Sequence, residues 1–216
     1  MKLERCRMPK PKSNDSFNCR KYGHASWRGM WFNVRQDINR YLNKSPLNRA
    51  LGKSWKRKLS AFLTPEILCL FIYRLSHFLH VNDWNLLGRF VARINLSLFK
   101  VHIPSHSCIG PACRLSHPPG VVFEGRAGRN LTIFSLAICQ AGSDFISPNL
   151  DICPQLGNHV QLGAYTVTTG QISLQDGVRL YPVLAVDSDI TKEKLVIRKK
   201  PHYKKVVRHT VRNMNN

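Results

Sequence analysis

Acidic side chains are scarce: 12 Asp and Glu stand against 33 Lys and Arg in 216 residues, a formal net charge of +21. A surplus of this size ordinarily points to nucleic acid or an anionic membrane. Residues 1–60 carry 16 basic and 3 acidic side chains, residues 191–216 carry 9 and 1, and residues 61–190 carry 8 of each. The excess therefore lies in the two ends, around a neutral middle. No helix-turn-helix, RNP or zinc-finger spacing accompanies the basic ends, so they read as solvated tails and not as a shaped nucleic-acid surface. Long apolar runs are also missing. The longest, Ile67 to Tyr73, is closed by Arg74 and is too short to span a bilayer. The opening MKLERCRMPK lacks the apolar stretch of a secretory signal. The expectation is a soluble, cytoplasmic protein, with at most peripheral membrane attachment, each tail Lys or Arg contributing roughly 1 kcal/mol near an acidic surface. No C-x-x-C pair occurs among the seven scattered cysteines (6, 19, 69, 108, 113, 139 and 153). Their odd number and spacing argue against a zinc knuckle and a disulfide framework, and favour reduced thiols.

The chain divides into four parts. Residues 1–30 read as a disordered basic tail, polar and without helical or strand periodicity. Residues 31–100 read as a helical cap, with apolar residues at helical spacing from Trp31 to Leu42 and from Trp55 to Phe99. Leu68, Phe71, Ile72, Leu75, Phe78 and Leu79 share one stripe of that cap. Thr64 is the expected N-cap of one helix with Pro65 at its first position, and Asp83 the expected cap of a second that carries Leu86, Leu87, Phe90, Val91 and Ile94. Residues 101–190 change character, and residues 191–216 form a second basic tail.

From Leu156 an apolar position recurs every six residues as Leu156, Leu162, Thr168, Leu174, Leu180 and Val186. A second series runs four behind it as Val160, Thr166, Ile172, Val178, Leu184 and Ile190. Six is neither a helical nor a sandwich period. It is the period of a triangular β-solenoid, in which each short strand turns one side chain inward before a corner, and three hexads complete a coil. The same phase reads earlier at Ile109, Leu115 and Val121, then slips between Gly125 and Pro154, where an irregular or protruding loop is expected. The fold class is therefore α+β: a helical cap followed by a parallel β-helix of hexapeptide repeats. Each coil buries a thin core, so the stack needs a cap and neighbours, and trimerisation through its flat faces would supply the latter.

The stretch from Ile103 to Val122, with Ile109-Gly110 followed by His117-Pro-Pro-Gly120, resembles the first coils of the serine O-acetyltransferase family, especially the branch found with bacterial polysaccharide genes. Gly128 to Phe134 resembles the next coil, and Val34 to Arg40 and Phe71 to Phe78 resemble that family's helical region, so the likeness covers roughly residues 31–190. The resemblance implies a left-handed β-helix, acetyl-CoA as co-substrate, and a homotrimer or dimer of trimers. It implies His117 as the general base, and imidazole suits that task because it titrates near neutrality and can take the hydroxyl proton as the oxygen attacks the thioester. It implies Gly163, Ala164, Tyr165 and Gly170 as acetyl-CoA contacts, although tight corners explain the glycines equally well. Lys199, Lys200, Arg198 and Lys204 are candidate partners of the CoA phosphates or part of a solvated tail. No metal is implied.

The chain departs from the family where an aspartate usually orients the base. His102 stands fifteen residues before His117, Ser116 stands beside it, and the family's second active-site histidine falls on Cys153. Loss of an orienting carboxylate can cost on the order of 10⁴ in rate in triad enzymes. The leading expectation is transfer of acetyl from acetyl-CoA to L-serine, as in cysteine biosynthesis. A sugar or polysaccharide hydroxyl as acceptor, and a non-catalytic β-helix scaffold, remain open.

Overall fold

The computed structural model describes residues 22–44, 60–142, 150–190 and 196–197. Most of both basic tails, including Arg198, Lys199, Lys200 and Lys204, lies outside them. Three helices come first: α1 (Trp27–Lys44), α2 (Pro65–Val81) and α3 (Asn85–Phe99). Thirteen short strands follow among the described residues: β1 (Cys108–Ile109), β2 (Arg114–Ser116), β3 (Val122–Phe123), β4 (Arg126–Ala127), β5 (Thr132–Phe134), β6 (Ile138–Gln140), β7 (Gln155–Leu156), β8 (Gln161–Leu162), β9 (Val167–Thr169), β10 (Ser173–Leu174), β11 (Arg179–Leu180), β12 (Ala185–Val186) and β13 (Val196–Ile197). α1 begins inside the stretch read as an N-terminal tail, and β13 adds a strand beyond residue 190.

From β1 to β9 each strand pairs in parallel with the strand three further on, and β13 pairs in parallel with β11, so the strands form three sheets in the orders β1-β4-β7-β10, β13-β11-β8-β5-β2 and β12-β9-β6-β3. This is the three-sided solenoid that the six-residue period predicts. Leu174 sits over Leu156 and Ala185 over Val167, one coil of eighteen residues apart. Both series point inward: Leu156, Leu162, Thr168, Leu174, Val160, Thr166 and Val178 are all fully buried. Leu162→Ala removes a methyl-lined contact from a core one residue thick and is expected to cost about 2–5 kcal/mol, measured as a shift in urea midpoint.

The segment between Gly125 and Pro154 is more regular than its spacing implied. β4, β5 and β6 lie within it, with Ala127, Ile133 and Cys139 turned inward. Ala127 stands where the neighbouring coils place Ile109, Leu156 and Leu174, and Cys139 where they place Phe123, Thr168 and Val186, so small and soft residues hide the repeat. The larger slip lies between β6 and β7, where Ala127 pairs with Leu156 twenty-nine residues on; residues 143–149 of that stretch lie outside the described ones. A smaller one lies at β3, whose Phe123 pairs with Cys139 only sixteen residues on.

The helices differ more from expectation. Thr64 is the N-cap residue of α2 and Pro65 its first residue, but the Thr64 hydroxyl donates to the Ala61 carbonyl instead of capping. Asp83 adopts a left-handed φ of 65°, and Trp84, not Asp83, precedes α3. The face of α2 buried against the solenoid is Leu70, Tyr73, Arg74 and His77, while the expected stripe of Leu68, Phe71, Ile72, Leu75, Phe78 and Leu79 is only partly covered. A half-polar face wins because it meets exposed strand carbonyls, which require donors. Arg74 donates to the carbonyls of Ile109 and Gly110 at 2.5 and 2.8 Å and, through Nε and Nη2, to the Asp37 carboxylate at 2.9 and 3.1 Å. Asp37 in turn accepts from the Cys113 amide at 2.7 Å. Arg40 donates to the carbonyls of Ala112 and Leu131 and to the Thr132 hydroxyl. Burial disfavours the Arg74 charge, yet Asp37 holds the guanidinium protonated. The helical cap is thus fastened to the first coils by charged side chains. α3 packs on α2 through Gly88 and Asn95 and leaves Leu86, Phe90 and Leu98 exposed. No helix among the described residues is long and apolar enough to cross a membrane.

The expectation of reduced thiols holds for Cys69, Cys113, Cys139 and Cys153 and fails for Cys108, which is disulfide-bonded. The other half of that bond lies outside the described residues. Sequence spacing reports nothing about thiols that meet only across the fold.

Candidate active site

One edge of the prism gathers the residues of interest. Where β2, β5, β8 and β11 end, the chain turns towards the next sheet, and the stacked left-handed residues are Gly120, Leu136, Tyr165 and Val183, with φ of 77°, 57°, 58° and 58°; His117, also left-handed at 60°, lies three residues before Gly120 in the first of these turns. The turns stack through backbone bonds, Leu136 N–H donating to the Pro119 carbonyl, Tyr165 N–H to Ser135 and Val183 N–H to Ala164. His117 and Tyr165, far apart in sequence, therefore stand on one edge.

A cleft of about 310 Å³ opens along this edge, with Phe134, Gln161, Gly163, Ala164, Arg179 and Tyr181 among its lining residues. It runs over β5, β8 and β11. Ser116 of β2 is the register partner of Phe134, so His117 stands one coil beyond the end of the cleft. Gly163 and Ala164 line the cleft; Tyr165 is exposed beside it, and Gly170 lies after β9 on another part of the coil. Gly163 has a steric reason of its own, because a Cβ there would lie 2.6 Å from the Leu180 carbonyl oxygen of the next coil. Gly170 meets nothing but takes a φ of +83°, which an L side chain rarely adopts.

His117 is exposed, and its ring makes no hydrogen bond or ion pair with a described residue. His102 is half-buried on a strand-like bridge to Val122, and burial holds its imidazole below the usual range against the opposing pull of Glu124. It is therefore a neutral ring and supplies no charge to orient His117. Ser116 is half-buried at the end of β2. Cys153 is a buried thiol pushed up to about 11 by burial and then by the Glu124 charge, so it stays protonated at neutral pH and does not replace a histidine in acid–base work. A carboxylate–imidazole pair does exist elsewhere: His106 Nε2 lies 3.0 Å from Glu124 Oε1, both partly buried. The sequence reading missed it, although the two residues are eighteen apart, one coil, and that spacing places them in vertical contact. Glu124 follows β3 and His117 precedes it, so the pair sits at a different corner from His117.

An exposed imidazole beside an apolar cleft bearing one arginine suits an elongated acyl donor with anionic groups and a small acceptor approaching from solvent. No protein-family model matches the chain. A serine acetyltransferase of Helicobacter pylori is 28% identical over 155 residues, 71% of this chain and 85% of that protein. Among solved structures, the serine acetyltransferase of Neisseria gonorrhoeae superposes with a TM-score of 0.69 at 18% identity, covering 82% of this chain and 66% of that one. Soybean serine acetyltransferase complexed with serine gives 0.68 at 19% identity, covering 80% and 68%. Isoform 3 from Entamoeba histolytica in complex with cysteine gives 0.61 at 18%, covering 88% and 68%. The chain spans about two thirds of those solved chains. These likenesses identify the solenoid as a left-handed parallel β-helix, and in sequence as in fold the chain resembles the serine O-acetyltransferase family.

Proposed function

We propose that the protein is an acetyl-CoA-dependent O-acetyltransferase of the serine acetyltransferase type, acting in the cytoplasm with His117 as general base. The observation that carries this reading is the placement of His117 on the same prism edge as the cleft, one coil beyond it. In the reaction, the neutral imidazole takes the proton of the acceptor hydroxyl as its oxygen attacks the thioester carbonyl. The tetrahedral adduct then expels CoA thiolate, and the imidazolium returns its proton to that sulfur. No covalent enzyme intermediate is needed, because both substrates meet in one site and positioning removes much of the barrier. Gly163 and Ala164 let an extended pantetheine approach the main chain, Tyr165 flanks it, and Arg179 is available to a CoA phosphate. Gly170, outside the cleft lining, serves the corner.

The exposed residues Leu136, Tyr165 and Val183 along the cleft edge, and Leu86, Phe90 and Leu98 on α3, are apolar surfaces that support assembly into a trimer or a dimer of trimers. L-serine is the leading acceptor. A sugar hydroxyl is the second reading, favoured by the absence of an orienting carboxylate at His102 and by Cys153 in place of a second histidine.

Release of CoA thiol from acetyl-CoA, followed with L-serine and with a panel of sugars, tests the proposal. Serine-dependent release supports the leading reading, and release only with a sugar shifts the acceptor. Saturable acetyl-CoA binding with no release for any hydroxyl, or no binding at all, rejects it in favour of a scaffold.

A further inference from the structure

One turn beyond Arg74, α2 buries His77 in a pocket remote from the cleft. Its Nδ1 lies 2.7 Å from the Ser105 carbonyl oxygen. A carbonyl only accepts, so Nδ1 carries the hydrogen and Nε2 presents a bare lone pair. That Nε2 is buried without a partner. His24, from the turn that precedes α1, packs edge-on against it with ring centroids 4.6 Å apart, and His24 Nε2 is likewise buried and unpartnered. Cys108 on β1 completes the group: one donor atom from each of His24, His77 and Cys108 lies within 4.8 Å of the other two, and all three residues are buried. Two unsatisfied buried nitrogens ordinarily cost about 1–3 kcal/mol each, and a native fold rarely tolerates two side by side without a ligand.

We propose that His24, His77 and Cys108 form a structural zinc site that pins the segment before α1 to α2 and β1. The donor set is two neutral imidazoles and a thiolate, the borderline-soft N,N,S combination that zinc takes in tetrahedral geometry. A histidine whose second nitrogen donates to a backbone carbonyl is the arrangement metal-ligating histidines adopt. Zinc–nitrogen bonds of about 2.0–2.1 Å and zinc–sulfur bonds of about 2.3 Å put donor atoms roughly 3.5 Å apart, so the group closes by about 1 Å on binding. The environment keeps both rings neutral: burial first, and then the Arg74 charge among its neighbours, lowers His77 to about 4, while burial and then His77 lower His24 to about 2. The fourth position is open to water or another donor.

The disulfide at Cys108 and the metal are alternative states of one sulfur. A two-electron reductant turns the disulfide into two thiols: a dithiol in a cell gives up its two hydrogens and becomes a disulfide, and a phosphine in vitro becomes a phosphine oxide, with water supplying the oxygen and the two thiol protons. Zinc then takes the Cys108 thiolate, and the thiol proton passes to solvent. In the reduced chain the metal joins the segment before α1 to α2 and β1.

The test uses the full chain, stripped with a chelator and treated with a phosphine, then titrated with Zn²⁺ and with Co²⁺ as a coloured substitute. The expected result is one metal per chain, a thiolate-to-cobalt charge-transfer band, and a higher melting temperature with zinc. Unreduced protein gives no such band. Cys108→Ser abolishes it, and His24→Gln weakens binding by at least ~10²-fold, the upper end of what outer-shell changes cost. Should a variant fail to fold by circular dichroism, the unaltered reduced chain still decides. The proposal is overturned if that chain takes up no stoichiometric zinc, or if folded Cys108→Ser retains the cobalt band.

Discussion

Replacing His117 with alanine or asparagine lowers acetyl transfer by about 10²–10⁴-fold, the range that a positioned general base supplies. The residue is exposed and ties nothing else together, so the thermal midpoint stays close to that of the parent chain. Asparagine is the better control. The site has a φ of 60°, and asparagine, like histidine, tolerates the left-handed region better than most side chains, so it keeps the turn while removing the base. Steady-state CoA release with the two variants, alongside circular dichroism, measures the effect. A loss below threefold in both would assign the proton transfer to another group.

The second large effect lies far from the cleft. Asp37→Ala leaves the Arg74 guanidinium fully buried without its carboxylate and removes the acceptor of the Cys113 amide. Stranding one member of a buried ion pair costs about 3–5 kcal/mol. Denaturant unfolding is expected to show that loss, with the helical cap separating from the first coils. Replacing both partners, Asp37→Leu with Arg74→Met, recovers part of it, because no charge is then stranded; the recovery is incomplete because the Ile109 and Gly110 carbonyls lose their donor. A cost below 1 kcal/mol for Asp37→Ala would show that water reaches Arg74 and that the cap is held by its apolar contacts alone.

These two residues illustrate what the sequence disclosed and what it withheld. The later coils were legible because Leu156, Leu162, Leu174 and Leu180 repeat without insertion, and each is buried as a period of six demands. The earlier coils were obscured by Ala127 and Cys139 on the inner face and by one coil of twenty-nine residues. The buried face of α2 was misread because hydrophobic periodicity does not register Arg74 and His77, polar residues turned inward to satisfy strand carbonyls. Arg74 and His77 were plain in the chain, but their role in docking appeared only with the Ile109 and Gly110 carbonyls and Ser105 beside them. His117 was singled out through its flanking Pro-Pro-Gly120, whereas the group of His24, His77 and Cys108 is assembled from three distant elements and leaves no local pattern.

Transfer of a labelled acetyl group tests the central claim most directly. Acetyl-CoA carrying a deuterated acetyl group is incubated with the protein and L-serine, and the products are resolved by mass spectrometry, which separates true transfer from thioester hydrolysis. The account predicts labelled O-acetylserine with the parent chain and at least about a hundredfold less with His117→Asn. Label recovered only as acetate or unreacted acetyl-CoA would contradict serine as the acceptor, and equal labelling by both chains would contradict His117 as the base.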